Sequence, residues 1–282
     1  MEHSVVDIEA RVTHNQTRHI PRLKVTELTV GYGTKAIVSD VTIEALPGEV
    51  TVLVGPNGCG KSTLLKAMAR VLQPMTGQAT LDDAPVHTTP TRKLACKLAL
   101  LPQGPVAPEG LTVHELVSQG RFPHQTLTQQ WSAEDSRAVD AALEAADVAQ
   151  FAERRVDSLS GGQRQRCWIA MVLAQETDVI LLDEPTTFLD LKVQVDVMTL
   201  LRKIAHEQGR TLVVVLHELN IAAMFADQII MMRGGALIAR GAPERVITRE
   251  NLRLVFDLDA HVIADPITGR PVCLPVMSGS SS

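Results

Sequence analysis

A chain of 282 residues, 45% hydrophobic and 21% charged, has material for one large domain or two modest ones, with an ample core. Its net charge of −5 and pI near 6.0 argue against a nucleic-acid binder that relies on broad electrostatics. Four cysteines, Cys59, Cys96, Cys167 and Cys273, form no C-x-x-C pair; that argues against a disulfide framework or zinc site and suits reduced thiols.

In chain order, residues 1–20 are mixed and polar and read as a loosely ordered extension without the apolar centre of a signal peptide. No apolar run approaches the roughly 20 residues that span a bilayer, so any membrane role is expected to be peripheral. Leu23 to Val30 alternates apolar and polar residues and predicts a strand with one wet face, ending in the turn Gly31-Tyr32-Gly33. Tyr32, the single tyrosine, fits a half-buried packing residue or a ring that stacks on a base.

After a turn at Pro47-Gly48, the apolar run Val50 to Val54 predicts a buried strand that leads into GPNGCGKST, residues 55–63. This is the phosphate-binding pattern G-x-x-x-x-G-K-[ST] in its strand-to-helix context. Gly55, Gly58 and Gly60 permit unusual torsions, so that the backbone of Gly55, Pro56, Asn57, Gly58, Cys59 and Gly60 can turn N–H groups toward phosphate oxygens. The next helix, expected to run to about Val71-Leu72, aims its positive end at the same anion. Lys61 can reach the β- and γ-phosphates, and the Ser62 hydroxyl beside Thr63 can ligate Mg²⁺.

A short hairpin, a basic helix around Arg92 to Cys96 and a strand Leu98 to Leu101 follow, with Pro102-Gln103 at the strand's end. Gly104 to Gly110 is rich in Pro and Gly and marks a boundary. Residues 111–158 read as helical, with Thr112 and Glu115 as one capping box and Ser132 as a second cap. Ser160, Gly161, Gly162 and Gln163 then open a long helix expected from Arg164 to about Gln175. The run Val179 to Leu182 ends in Asp183-Glu184, a helix is expected from Val193 to about Glu207, and Leu212 to Leu216 ends at His217. Beyond a Gly234-Gly235 hairpin, residues after about 241 read as a tail.

Four fully apolar strands thus end in Gly55, Gln103, Asp183-Glu184 and His217. Apolar strands alternating with helices imply a parallel sheet covered on both faces, with the ligand beyond the carboxyl ends of the strands. Asp183 is placed to hold Mg²⁺, and Glu184 to act as general base on a water aligned with the γ-phosphate. Gln103 could touch the metal or that water, and His217 could hydrogen-bond a γ-phosphate oxygen.

GPNGCGKST, LSGGQRQR, VILLDEP, the turn at Asp190 and His217, in this order, resemble the ATP-binding subunits of ABC transporters over about residues 22–275. LSGGQ is the specific element. The resemblance implies a P-loop ATPase fold: a largely parallel mixed sheet flanked by helices, an antiparallel β part on the N-terminal side and an inserted helical subdomain. It divides the chain into an extension at 1–20, an ATPase domain at 21–245 with the helical subdomain at about 104–160, and an appendage at 246–282 ending in a disordered tail. It also implies a head-to-tail homodimer in which Ser160, Gly161, Gly162 and Gln163 of one subunit meet the ATP held at Lys61 of the other. Tyr32 would stack on adenine, Asp190 relay between the two sites, and Gln103 couple nucleotide state to a permease helix docked beside the insert.

GRFPH, EPTTFLDL, LHELN and DPITGRP look like the branch that serves ferric citrate, ferric siderophore and vitamin B12 uptake. That implies an ATPase, peripheral on the cytoplasmic face of the membrane, driving iron-chelate import through a separate permease fed by a substrate-binding protein. Cobalamin or haem import stands as the alternative within transport, and a soluble ABC ATPase of an assembly complex as the alternative outside it. A DNA-binding regulator fits the acidic charge poorly. Cys59 replaces the usual Ser of the loop, where an exposed thiol is expected to confer oxidation sensitivity.

Overall fold

The computed structural model describes residues 23–125 and 131–276; the extension at 1–20 and the Ser-rich end lie outside the described residues. The first strand, β1 (Leu23–Tyr32), pairs antiparallel with β2 (Lys35–Ala45). Alternation buries Leu23, Val25, Leu28 and Val30 of β1. The register slips between Val25 and Leu28, where Glu27 takes a left-handed φ of 47°, so the two buried pairs still share one face.

β3 (Val50–Val54) leads through the glycine-rich loop into α1 (Lys61–Met68). This helix stops short of the expected Leu72 because Arg70 enters the left-handed region at φ 63°. The chain continues through β4 (Thr76–Leu81), β5 (Ala84–Pro85), α2 (Thr91–Ala95) and β6 (Leu98–Leu101). The helical insert follows with α3 (Val113–Ser118) and α4 (Ala133–Ala145), each opened by a reciprocal capping box, at Thr112/Glu115 and Ser132/Asp135. Its strand-like element among the described residues is one bridge, Thr112 to Arg155.

Next come α5 (Gly161–Ala174), β7 (Val179–Asp183), α6 (Leu191–Gln208) and β8 (Thr211–Val215). Both helices begin two or three residues earlier than expected, because Ser160 and Asp190 cap them. Gly209, at φ 68°, ends α6 as expected. After α7 (Leu219–Phe225) come β9 (Gln228–Arg233) and β10 (Ala236–Gly241).

The central sheet has the order β10-β9-β3-β8-β7-β6, parallel except for the β10 edge. Alternate residues of its strands serve two cores. Val52, Val54, Ile180, Leu182, Leu212 and Val214 pack with α5, α6 and α7. Leu53, Leu181, Val213 and Val215 pack with α1 and the antiparallel sheet β2-β1-β4-β5. Burial on both faces is why these strands read as unbroken apolar runs.

Residues 243–275 are not an extended tail. They form α8 (Pro243–Val246), α9 (Arg249–Phe256) and the antiparallel pair β11 (Ala260–Ala264) and β12 (Pro271–Pro275). Val246, Leu252, Val255, Ala260 and Cys273 join the core beside α7. The elements are too short to leave a long periodic signature, which is why composition alone suggests a tail. Two motifs with no catalytic pattern explain themselves here. In DPITGRP, Asp265 Oδ1 accepts from the Ile267 and Thr268 backbones and the Thr268 hydroxyl, while Arg270 donates to Ala226 O. In GRFPH, Arg121 is 1% exposed and donates to Asp135 Oδ1 at 2.8 Å, Ala174 O at 2.7 Å and Glu176 Oε2 at 2.7 Å. It binds α4 to the end of α5.

Candidate functional site

Because β3, β8, β7 and β6 are neighbours in that order, their carboxyl ends bring the phosphate loop, His217, Asp183-Glu184 and Gln103 to one edge of the sheet. A cleft of about 230 Å³ there is lined by Tyr32, Ile37, Asn57, Gly58, Gly60, Lys61, Ser62, Thr63, Glu184 and His217.

The loop is built for an anion. Gly60 precedes α1 at φ 105°, and no side chain caps the helix, whereas side chains cap α3, α4, α5, α6 and α9. The first N–H groups of α1 are therefore left to whatever enters the cleft. Lys61 is buried at 4% exposure, its ammonium donating to the carbonyls of Gly55 at 2.8 Å and Pro56 at 3.1 Å. A buried cation held by neutral groups keeps its charge available to phosphate oxygens.

Ser62 Oγ donates to Asp183 Oδ1 at 2.7 Å. Burial raises the Asp183 carboxyl above the ordinary aspartate range, and neighbouring Glu184 raises it further; Ser62, Lys66 and Lys61 pull it down. Among the described residues, no three His, Cys, Asp or Glu side chains form a metal cage. A hard divalent cation that keeps several waters and substrate oxygens fits a donor set of one hydroxyl and one carboxylate.

Glu184 occupies the left-handed region at φ 53°. Its Oε2 accepts from Gln103 Nε2 at 2.5 Å and Thr187 Oγ1 at 3.1 Å, and its Oε1 pairs with His217 Nε2. Among the described residues, Gln103 bonds Glu184, the chain neighbour of Asp183, and not the metal candidates Ser62 and Asp183 themselves. Sequence reasoning did not single out Thr187 or Ile37. A hydroxyl three residues after a strand-end acid is the signal that could have found Thr187.

Cys59 departs from expectation. It is 5% exposed, with its sulfur 4.0 Å from Lys61 Nζ. Burial raises the thiol above the ordinary cysteine range, more than Lys61 lowers it. It belongs to the buried cluster with Val38, Leu64 and Met232, so it is a packing residue and not an exposed thiol.

The LSGGQ stretch stands apart from the cleft. Ser160 caps α5 with Gln163 in a reciprocal box, accepting from the Gln163 N–H at 3.3 Å. Gly161, not the cleft residues, lines a groove of about 520 Å³ with Val106, Pro108, Trp168, Phe188 and Leu189. Gly162 has no room for a side chain: a Cβ would lie 2.7 Å from Val193 Cγ1 on α6. Asp190 caps α6, accepting from Val193 N–H at 3.0 Å. Tyr32 is half exposed at the rim of the cleft.

The ABC transporter family profile matches residues 38–187. The iron(3+)-hydroxamate import ATP-binding protein of Bacillus subtilis is 48% identical over 252 residues, 89% of this chain and 94% of that protein. The ferric enterobactin transport ATP-binding protein of Escherichia coli is 43% identical over 92% of this chain and 96% of its own length. A solved metal-chelate type ABC transporter in an inward-facing conformation gives a TM-score of 0.80 at 27% identity, over 92% of this chain and 98% of that one. Cassettes of this family dimerise and, in import systems, act with membrane permease subunits. Among the described residues, no helix is long and apolar enough to cross a membrane. The chain belongs to the ABC transporter family and is an ATP-binding cassette with ATPase activity.

Proposed function

We propose that this cassette powers import of an iron(III) chelate through a separate permease, working peripherally on the cytoplasmic face of the membrane. One observation carries the mechanism. Lys61, Ser62, Glu184 and His217 share one cleft, while the Ser160 cap lies outside it on the same chain. A head-to-tail pair of chains supplies the missing half, with Ser160, Gly161, Gly162 and Gln163 of one closing over the triphosphate at Lys61 of the other.

In that arrangement Tyr32 stacks on the base, and Gly55 to Thr63 wraps the phosphates. Lys61 balances charge on the β- and γ-oxygens. Ser62 and Asp183, with Gln103 near, would hold Mg²⁺, which neutralises phosphate charge when bound. Glu184 takes the proton of the attacking water, His217 donates to a γ-phosphate oxygen, and Asp190 sits where it can relay between paired sites. The apolar groove beside the helical insert is the permease dock. The names of the relatives support ferric chelates as the cargo class; a binding protein and the permease select among them.

Two measurements test this. Glu184→Gln is expected to bind ATP and dimerise while turnover falls about 10²–10⁴-fold, the share a general base supplies; turnover at the parental rate overturns the base assignment. Cells lacking the chain are expected to lose uptake of labelled iron as one or more chelates. Normal iron uptake with lost cobalamin or haemin uptake transfers the chain to the alternative cargo. Unchanged uptake of all of them, with ATPase activity indifferent to membranes, favours a soluble assembly complex.

A further inference from the structure

Glu184 has three donors of different origin. Gln103 follows β6 and His217 follows β8, so both reach it from neighbouring strands. Thr187 belongs to Glu184's own turn: its N–H donates to Glu184 O at 3.4 Å and its hydroxyl to Oε2 at 3.1 Å. With Glu184 at φ 53°, that turn is in a conformation few non-glycine residues adopt, so its internal bonds decide where the carboxylate points. When nucleotide occupies the cleft, the proposed duties of Gln103 and His217 draw them toward the cation and the γ-phosphate. Thr187 moves with the turn; it also lines the larger groove, but among the described residues its hydroxyl is bonded to Glu184.

We propose that Thr187 is a positioning residue for the general base. Its hydroxyl keeps Oε2 fixed through the cycle, so that Oε1, the oxygen vacated by His217, faces the water. The water proton then passes to Oε1, the water oxygen bonds to the γ-phosphorus, and the β–γ bridging oxygen leaves with ADP. This rests on the reading of Glu184 as the base.

The test uses the full chain with Mg-ATP and four variants. Thr187→Val keeps the shape and β-branch but loses the donor; it is expected to lower kcat about tenfold, a fraction of the 10²–10⁴ a general base supplies, with KM within about twofold. Thr187→Ser keeps the donor and is expected to stay within about threefold of the parent. In the Glu184→Gln background, Thr187→Val is expected to add no further loss of slow single-turnover hydrolysis and to leave ATP-dependent dimerisation intact. The proposal is overturned if Thr187→Val turns over at the parental rate, if Thr187→Ser falls as far as Thr187→Val, or if the two losses multiply in the double variant. Full activity in Glu184→Gln alone would remove the base assignment and this proposal together, whereas an inactive Glu184→Gln with an unaffected Thr187→Val removes this proposal only.

Discussion

Ser62 Oγ donates to Asp183 Oδ1 at 2.7 Å, joining a residue of the cleft lining to a buried acid 121 positions away. The contact ties the first turn of α1 to the end of β7, and with them the phosphate loop to the acidic strand end. On the proposed role of this pair, Ser62→Ala is expected to raise the Mg²⁺ concentration for half-maximal ATP hydrolysis about 10–100-fold, the range seen when a site's supporting contacts are lost. A magnesium titration of steady-state hydrolysis checks it. An unchanged midpoint would remove Ser62 from the cation site.

Gly162 and Val193 are packed so closely that a methyl group at Gly162 would meet Val193 Cγ1 at 2.7 Å. Gly162→Ala is therefore expected to push α5 from α6 and cost about 1–3 kcal/mol of stability, the usual penalty of overpacking. Val193→Ala in the same chain is expected to restore most of it. Denaturant midpoints of the single and double variants decide the matter; equal losses in both would show that another contact sets the limit.

Arg121 joins Asp135 of the helical insert to Glu176, just beyond α5. Burial alone would raise the Asp135 carboxyl, but hydrogen bonds from Arg121 and Ser132 hold it below the ordinary aspartate range. A depressed folded value means that its stabilisation is full above the unfolded value near 3.9 and is lost as pH falls through the folded one. Arg121→Met is expected to cost about 3–5 kcal/mol at neutral pH by leaving a buried carboxylate unpaired. The gap from the parent should narrow as pH falls from 7 toward 4, because the stranded carboxyl of the variant can then become neutral. Denaturation curves across that range would expose a gap that stays constant.

The thiols provide a fourth check. Cys59, Cys167 and Cys273 are buried and Cys96 is partly exposed. Burial pushes Cys167 up to about 11 and raises Cys59 and Cys273 as well. Brief treatment of the folded chain with iodoacetamide at pH 7.5 is expected to label Cys96 first, the other three following only on unfolding. Peptide mass spectrometry reads the order; rapid labelling of Cys59 with loss of ATPase activity would restore the oxidation-sensitive thiol expected from its place in the phosphate loop.

What could be read without coordinates was local. The phosphate loop, the four apolar strands with polar ends and the caps at Thr112 and Ser132 each occupy a few consecutive residues. Their patterns follow from backbone torsion, strand periodicity and end-group hydrogen bonding, which act over short stretches of chain. Their common edge followed because parallel strands must all point one way.

Packing between distant segments decided the rest. The burial of Cys59, the order of residues 243–275 and the hold of Arg121 on Asp135 depend on partners contributed by other elements. So does the fit of Gly162 against Val193. Thr187 was three residues from Glu184 all along, yet only the left-handed turn at Glu184 brings its hydroxyl to the carboxylate. A residue's type limits which bonds it can make, and the three-dimensional path of the chain chooses among them.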